Sequence, residues 1–159
     1  MLIVGDSELQ RVDAAKLSNE QRDVEIKYTR GMKINQAAQR AGKSNNDVII
    51  VHVGTNNLNT STPEQICKET IDMLDQIQKN NPKSRIAFSS IFKRKDDMSL
   101  NAKAKKVNNI LAEEVAINGL DMIDDSNAKF NNSWKDGIHI SYGGTKKFSG
   151  NVSKFIKYC

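Results

Sequence analysis

A continuous apolar strand in the first third of the chain does most to restrict the folds that this sequence can adopt. Residues 47–53 read Asp-Val-Ile-Ile-Val-His-Val, and only His52 interrupts the apolar run. A strand that is apolar on both faces is typical of the middle of a parallel sheet with helices packed on each side. The rest of the chain must therefore supply further parallel strands, and enough helices to cover two faces.

Hydrophobic periodicity predicts four more strands and five helices around this segment. The other strands are predicted at residues 2–4, 23–28, 85–88 and 120–123. The second of these alternates polar and apolar residues, as an edge strand does. Helices are predicted at residues 6–18, 34–41, 62–80, 101–117 and 142–157. Strands that alternate with helices in this order predict an α/β fold with a five-stranded parallel sheet and helices on both faces.

Length and composition favour a single domain. A chain of 159 residues suits one domain over residues 1–159, and the first strand begins so early that we expect a domain cut from a longer chain. The apolar run at 47–53 is too short to span a bilayer. Two cysteines, Cys67 and Cys159, provide no disulfide framework, which favours an intracellular, cytoplasmic location.

The formal net charge of +5 raises the question of an anionic partner. Basic residues cluster at 93–95, 103–106 and 146–147, and such clusters can attract nucleic acid or an anionic membrane surface. Acidic neighbours such as Asp96 and Asp97, and the lack of interleaved aromatic residues, favour solvated faces instead. Weak contact with nucleic acid or an anionic membrane through this basic surface stays open, and a binding module for RNA or anionic lipid stays the alternative function.

Ser7 is the candidate nucleophile, because it lies where the first strand passes into a helical pattern. At a helix N-terminus the backbone N–H groups are unpaired and the local dipole favours negative charge. A serine hydroxyl there can attack an acyl carbon while nearby N–H groups hold the resulting oxyanion. The alternative is that Asp6 or Ser7 simply caps the helix, which both residue types do routinely.

Only two histidines are available as a base for such a nucleophile. His52 lies inside the apolar central strand, where a histidine with a structural role is expected more often than a catalytic one. His139 follows Asp136 and Gly137 in a loop, where a side chain can reach across the sheet edge, and it is the better candidate. Asp136 can orient the imidazole by accepting its Nδ1 proton, although an aspartate beside a glycine is also an ordinary turn former.

Two further positions could donate hydrogen bonds to an oxyanion. Asn56 follows the central strand, and Gly31 follows the second strand at a point where no side chain would block a substrate. Each also has a simpler interpretation, as a turn asparagine and as a glycine with positive φ. Asp124 and Asp125 are substitute orienters for the histidine, but their position after a strand makes them more typical of loop caps. All these residues follow strands, so they share the carboxyl edge of the predicted sheet, where ligands of such folds bind.

The four short segments together resemble the conserved blocks of the SGNH, or GDSL, hydrolases. They are Gly5-Asp6-Ser7, Gly31, Gly54-Thr55-Asn56 and Asp136-Gly137-Ile138-His139, in the order of that family. The resemblance implies a three-layer α/β/α sandwich of the flavodoxin-like kind and a serine esterase that needs no metal or other cofactor. Ser7 would be the nucleophile, His139 the base and Asp136 its orienter. Ser7, Gly31 and Asn56 would form the oxyanion hole for a small ester or lipid substrate.

Two positions depart from the usual blocks of that family. Asn57 stands where the third block often has an aspartate, so the support of that loop is in question. Glu8 follows Ser7 where a leucine is usual, which would alter the polarity of the site. Residues 51–58 and 134–139 are also similar to the esterase domain in the first open reading frame protein of some animal non-LTR retrotransposons.

Overall fold

The computed structural model describes residues 1–94, 96–126 and 139–157 and contains a five-stranded parallel sheet. Its strands are β1 (Leu2–Gly5), β2 (Glu25–Tyr28), β3 (Val48–His52), β4 (Arg85–Ser89) and β5 (Asp121–Ile123). Their order is β2-β1-β3-β4-β5, and each neighbouring pair is parallel. This confirms β3 as the central strand and β2 as an edge strand.

In the described part of the chain, four α-helices and two short 3-10 helices cover the sheet. The α-helices are α1 (Ile34–Ala41), α2 (Pro63–Asn80), α3 (Met98–Ile117) and α4 (Tyr142–Ile156). The 3-10 helices span Ser7–Arg11 and Ala14–Lys16. Helices α1, α2 and α3 share one buried apolar cluster, whereas α4 and the 3-10 segment contribute to a second cluster. Helices therefore flank the sheet on both sides, and the predicted α/β/α sandwich is confirmed.

Alternate residues of the strands face these two clusters. On β1, Leu2 and Val4 belong to the first cluster, whereas Ile3 between them belongs to the second. The same alternation holds on β3, where Ile49 packs in the first cluster and Ile50 in the second. All of these side chains are fully buried. Because both faces of a central strand are covered, its sequence is apolar at nearly every position, which is the pattern that predicted β3.

Capping residues set where several helices begin. The Thr62 hydroxyl accepts a hydrogen bond from the Gln65 N–H, and the Ser141 hydroxyl accepts one from the Gly144 N–H, so both predicted caps are confirmed. Helix α3 begins three residues earlier than its apolar spacing predicts. The reason is Asp97, whose carboxylate accepts hydrogen bonds from the Ser99 and Leu100 N–H groups.

The prediction of one continuous helix over residues 6–18 was wrong. Two separate 3-10 helices occupy this segment, with extended backbone at Val12 and Asp13 between them. Asp6 and Asp13 each accept a hydrogen bond from the N–H two residues ahead, which starts a new short turn each time. Short polar side chains that bond the local backbone compete with a continuous α-helix in this way.

Within residues 1–94, 96–126 and 139–157, no helix is long and apolar enough to cross a membrane.

Candidate active site

The side chains of Ser7 and His139 meet at the carboxyl edge of the sheet. The Ser7 Oγ lies 3.0 Å from the His139 Nε2, although the two residues are 132 positions apart in the chain. Both residues are half-buried. This is hydrogen-bond distance for a serine hydroxyl and a histidine that takes its proton.

A close contact between two strands sets the position of Ser7. The Asp6 N–H donates to the His52 carbonyl at 3.2 Å, which holds the end of β1 beside the end of β3. A Cβ atom at Gly5 would lie 2.3 Å from the same carbonyl oxygen, so only glycine allows this approach. Ser7 then opens the 3-10 helix Ser7–Arg11, with Asp6 as the N-cap.

Asp6 links the segment that carries Ser7 to the loop that carries Asn56. Its carboxylate accepts a hydrogen bond from the Glu8 N–H at 3.0 Å and another from the Asn56 Nδ2 at 3.3 Å. The side chain has no exposed surface, and this burial raises the pKa of Asp6 to about 6. The bond from the Glu8 N–H and the nearby charge of His139 offset part of that rise. Asp6 therefore caps the helix, as expected, and also binds the side chain of Asn56.

Asn56 lies in the same hydrogen-bonded cluster as the turn that carries Gly31. Its Nδ2 donates to the Met32 carbonyl at 3.1 Å as well as to Asp6. Gly31 itself has φ +68° and is exposed, and a Cβ atom there would meet no atom within 4 Å. Positive φ explains the glycine on its own, and the open space beside it leaves room for a ligand.

Asn57 supports this loop with both ends of its amide. Its Oδ1 accepts a hydrogen bond from the Ile34 N–H at the start of α1, and its Nδ2 donates to the Glu69 carboxylate on α2 at 3.1 Å. The side chain is only 3% exposed. An aspartate could not donate to Glu69, so in this chain the departure at Asn57 matches its surroundings.

His52 belongs to a buried polar network behind the site. Its Nδ1 lies 2.7 Å from the Ser89 Oγ, which donates to Asp125 at 2.6 Å, and Asn151 of α4 donates to the other Asp125 oxygen. Because the one Ser89 proton goes to Asp125, the proton of His52 lies on Nδ1. Burial lowers the pKa of His52 to about 3, so the ring is neutral at pH 7. This is the structural role expected for His52.

The two aspartates after β5 have different roles. Asp124 accepts hydrogen bonds from the Ser126 N–H and hydroxyl, as a loop cap does. Asp125 is not a loop cap, because its carboxylate is 3% exposed and lies in the network with Ser89. Burial raises the pKa of Asp125 to about 6. Asp136, the predicted orienter of the base, lies outside the described residues.

The loop after β4 also contacts the loop that carries Asn56. The buried Arg94 guanidinium donates to the Thr55 carbonyl at 3.4 Å and forms a two-point ion pair with Asp96. The hydrogen bonds that the Arg94 guanidinium donates to Asp96 raise the pKa of Arg94. Sequence reasoning missed this contact, since an arginine in a basic run is indistinguishable from a solvated one.

A cavity of about 600 Å³ lies between α3 and the segments after β4 and β5. Lys93, Lys105 and Met122 are among the described residues that line it, whereas Ser7, Asn56 and His139 are not. In the described part of the chain, no group of three or more metal-binding side chains lies together.

With this geometry established, comparisons with known proteins identify the family. The sequence pattern of the GDSL-like lipase/acylhydrolase family matches residues 9–147, which is most of the chain. The chain belongs to this family. The match includes Gly31, Asn56, Asp136 and His139 but begins two residues after Ser7. The choice of Ser7 therefore rests on the sequence block around it and on its contact with His139. No curated protein matches the chain.

Solved structures of the GDSL-like family and of esterases share the fold over nearly the whole length. A lipolytic protein of the G-D-S-L family from Veillonella parvula has TM-score 0.81 at 13% identity, with 99% of this chain and 98% of that chain covered. A carbohydrate acetylesterase, Est24 from Sinorhizobium meliloti, has TM-score 0.83 at 12% identity, with 99% and 97% covered. The aryl esterase of M. smegmatis has TM-score 0.80 at 13% identity, with 99% and 96% covered. At such low identity these likenesses show the fold alone.

Proposed function

We propose that this GDSL-like family member is a serine esterase that hydrolyses carboxylic esters through an acyl-enzyme intermediate. The observation that carries the proposal is the 3.0 Å contact between the Ser7 Oγ and the His139 Nε2. A serine with a histidine at hydrogen-bond distance, at the carboxyl edge of a parallel sheet, is the arrangement that acyl transfer requires.

The reaction proceeds in two halves. In the first, His139 takes the Ser7 proton at Nε2 while the Ser7 oxygen bonds to the ester carbonyl carbon; the imidazolium then returns the proton to the departing alcohol. In the second, His139 takes a proton from water as the water oxygen bonds to the acyl carbon. The bond between that carbon and the Ser7 oxygen then breaks, the acid leaves, and the imidazolium returns the proton to Ser7. The proposed third member is Asp136, three residues before His139, which accepts the Nδ1 proton and stabilises the imidazolium.

The oxyanion is held by groups that surround Ser7. We assign this role to the backbone N–H groups of Ser7 and Gly31 and to the Asn56 Nδ2. One Asn56 hydrogen is directed at Asp6 over a long 3.3 Å contact, and the substrate oxyanion would take the place of that acceptor. The other hydrogen stays on the Met32 carbonyl at 3.1 Å and keeps the amide in place. Removal of one such donor typically lowers kcat by about 10²–10³-fold.

The substrate class that we propose is an ester with a short acyl group, such as an acetyl ester. Few aromatic residues lie near the four sequence blocks, which favours a small acyl group over a long chain in a deep pocket. A carbohydrate acetylesterase and an aryl esterase among the structural neighbours share the fold, and the first of these acts on acetyl esters by its name.

Hydrolysis of p-nitrophenyl esters with acyl chains of increasing length tests this function. We expect activity that is highest for acetate and falls with chain length, and we expect Ser7→Ala to abolish it. The exposed serine variant Ser99→Ala serves as the matched control and should keep full activity. Undiminished turnover by Ser7→Ala would exclude this nucleophile, and a preference for long chains would exclude the short-acyl proposal.

A further inference from the structure

The residue after His139 is held by side chains of the helix that Ser7 opens. The Ile140 N–H donates to the Glu8 Oε2 at 3.0 Å, and the Ile140 carbonyl lies 3.4 Å from the Arg11 Nη1. The Ile140 side chain is 2% exposed and packs in the same apolar cluster as Leu9 of that helix. The Ser7–Arg11 helix thus contacts both the N–H and the carbonyl of Ile140.

Of the two polar contacts with Ile140, the one with Glu8 is the stronger. Its carboxylate is 3% exposed, and the bond to Ile140 is a buried, charge-assisted hydrogen bond of ordinary length. The Arg11 contact is longer, and Arg11 is exposed. Burial of a carboxylate costs free energy that an apolar side chain at the same place would not cost. A gain in stability alone therefore does not explain why a glutamate occupies this buried position.

We propose that Glu8 is a positioning residue that holds His139 against Ser7 through the Ile140 amide. Ser7 and Glu8 are consecutive, and so are His139 and Ile140, so two adjacent contacts join the same two backbone segments. Because the Ile140 N–H is bound to Glu8, the backbone of His139 is held in place and its imidazole lies next to the Ser7 hydroxyl. This inference rests on the proposed function, because it explains how the nucleophile and base keep their distance.

Three variants distinguish the positioning of His139 by Glu8 from an effect of the Glu8 charge and from a general loss of protein stability. Glu8→Leu fills the volume without an acceptor, and Glu8→Gln keeps an acceptor oxygen without the charge. Asn81→Leu is the control: Asn81 is also 3% exposed and fixes a loop, through the Ser44 N–H and the Gly42 carbonyl, but it precedes β4 and lies away from the carboxyl edge. Glu8→Met replaces Glu8→Leu if the latter does not fold.

Acylation kinetics with p-nitrophenyl acetate give the first readout. Because a displacement of about 1 Å can cost about 10²-fold in rate, we expect Glu8→Leu to lower kcat by about 10–100-fold with little change in KM. Glu8→Gln should lose less than about threefold, since a neutral amide oxygen still accepts the hydrogen bond. Asn81→Leu should lose stability and keep kcat. An unchanged kcat in Glu8→Leu overturns the proposal.

The ring signals of His139 in NMR spectra give a readout that needs no activity. The chain has two histidines, so the spectrum of His139→Ala assigns the signals of each ring. Ser7→Ala supplies the reference for a lost Ser7–His139 hydrogen bond. We expect Glu8→Leu to shift the His139 signals toward that reference and Glu8→Gln to leave them in place.

The two readouts keep this inference distinct from the proposed function. If the wild-type protein shows no acylation that depends on Ser7, the esterase proposal fails, while the ring signals still decide whether Glu8 positions His139. If the His139 signals in Glu8→Leu match those of the wild-type protein, Glu8 does not position the base, whatever the activity.

Discussion

Asp6 is a fully buried carboxylate beside the proposed nucleophile, and it binds two neighbours. It caps the helix that starts at Ser7 and accepts a hydrogen bond from Asn56. The sequence predicted the cap, because aspartate is common at such positions. It could not predict the bond to Asn56, which joins residues 50 positions apart. Nor did it predict burial, which raises the pKa of Asp6 to about 6.

The raised pKa of Asp6 makes stability depend on pH in a predictable direction. In the unfolded chain this carboxyl ionises near 3.8, whereas in the folded protein it keeps its proton up to about 6. The folded state therefore loses relative stability as the pH rises from about 3 to 7, by about 3 kcal/mol in total for this group. Asp6→Asn removes the titration.

Urea unfolding of the wild-type protein and Asp6→Asn at several pH values between 4 and 7 measures this effect. The difference in free energy of unfolding should move by about 2 kcal/mol in favour of the variant across that range. Asp125 titrates in both proteins, so its contribution cancels in the difference. Parallel stability curves would show that Asp6 ionises normally in the folded protein.

At the scale of elements, the loop after β3 joins α1 and α2 through Asn57. The sequence left the support of this loop in question, because Asn57 replaces a usual aspartate. The structure gives the physical reason for the amide, since Asn57 faces a backbone donor at Ile34 and a carboxylate acceptor at Glu69. Only a side chain with both an acceptor and a donor satisfies the two partners.

Asn57→Asp should therefore destabilise the protein by about 1–3 kcal/mol at pH 7, because it places two carboxylates against each other. The double variant Asn57→Asp, Glu69→Gln should recover most of that loss, because the new glutamine amide can donate to the new aspartate. Urea unfolding of the three proteins measures both effects. Equal stability of Asn57→Asp and the wild-type protein would contradict this account, as would a double variant with no recovery.

Elements were predictable wherever a repeating pattern or a local side chain determines them. The apolar run of β3, the capping residues Thr62 and Ser141 and the alternation of β2 are signals of this kind. The segment at residues 6–18 was not predictable from periodicity, because Asp6 and Asp13 each start a separate short turn. The buried role of Asp125 was missed because its partners, Ser89 and Asn151, lie far away in the sequence.

For the whole molecule, the candidate site is a product of the sheet topology. Ser7, Gly31 and Asn56 follow three adjacent strands, β1, β2 and β3, and His139 comes to them from near the other end of the chain. The parallel order predicted that these residues share one edge. The contacts that set their exact distances, such as Glu8 with Ile140, depend on the folded protein and have no local signature.

The most direct test of the whole account is covalent labelling with a reactive p-nitrophenyl organophosphate, followed by peptide mass spectrometry. The account predicts one adduct, on Ser7, that is absent in Ser7→Ala, greatly slowed in His139→Ala and unchanged in the exposed control Ser99→Ala. An adduct on another residue, or labelling of Ser7 at the wild-type rate in His139→Ala, would contradict it.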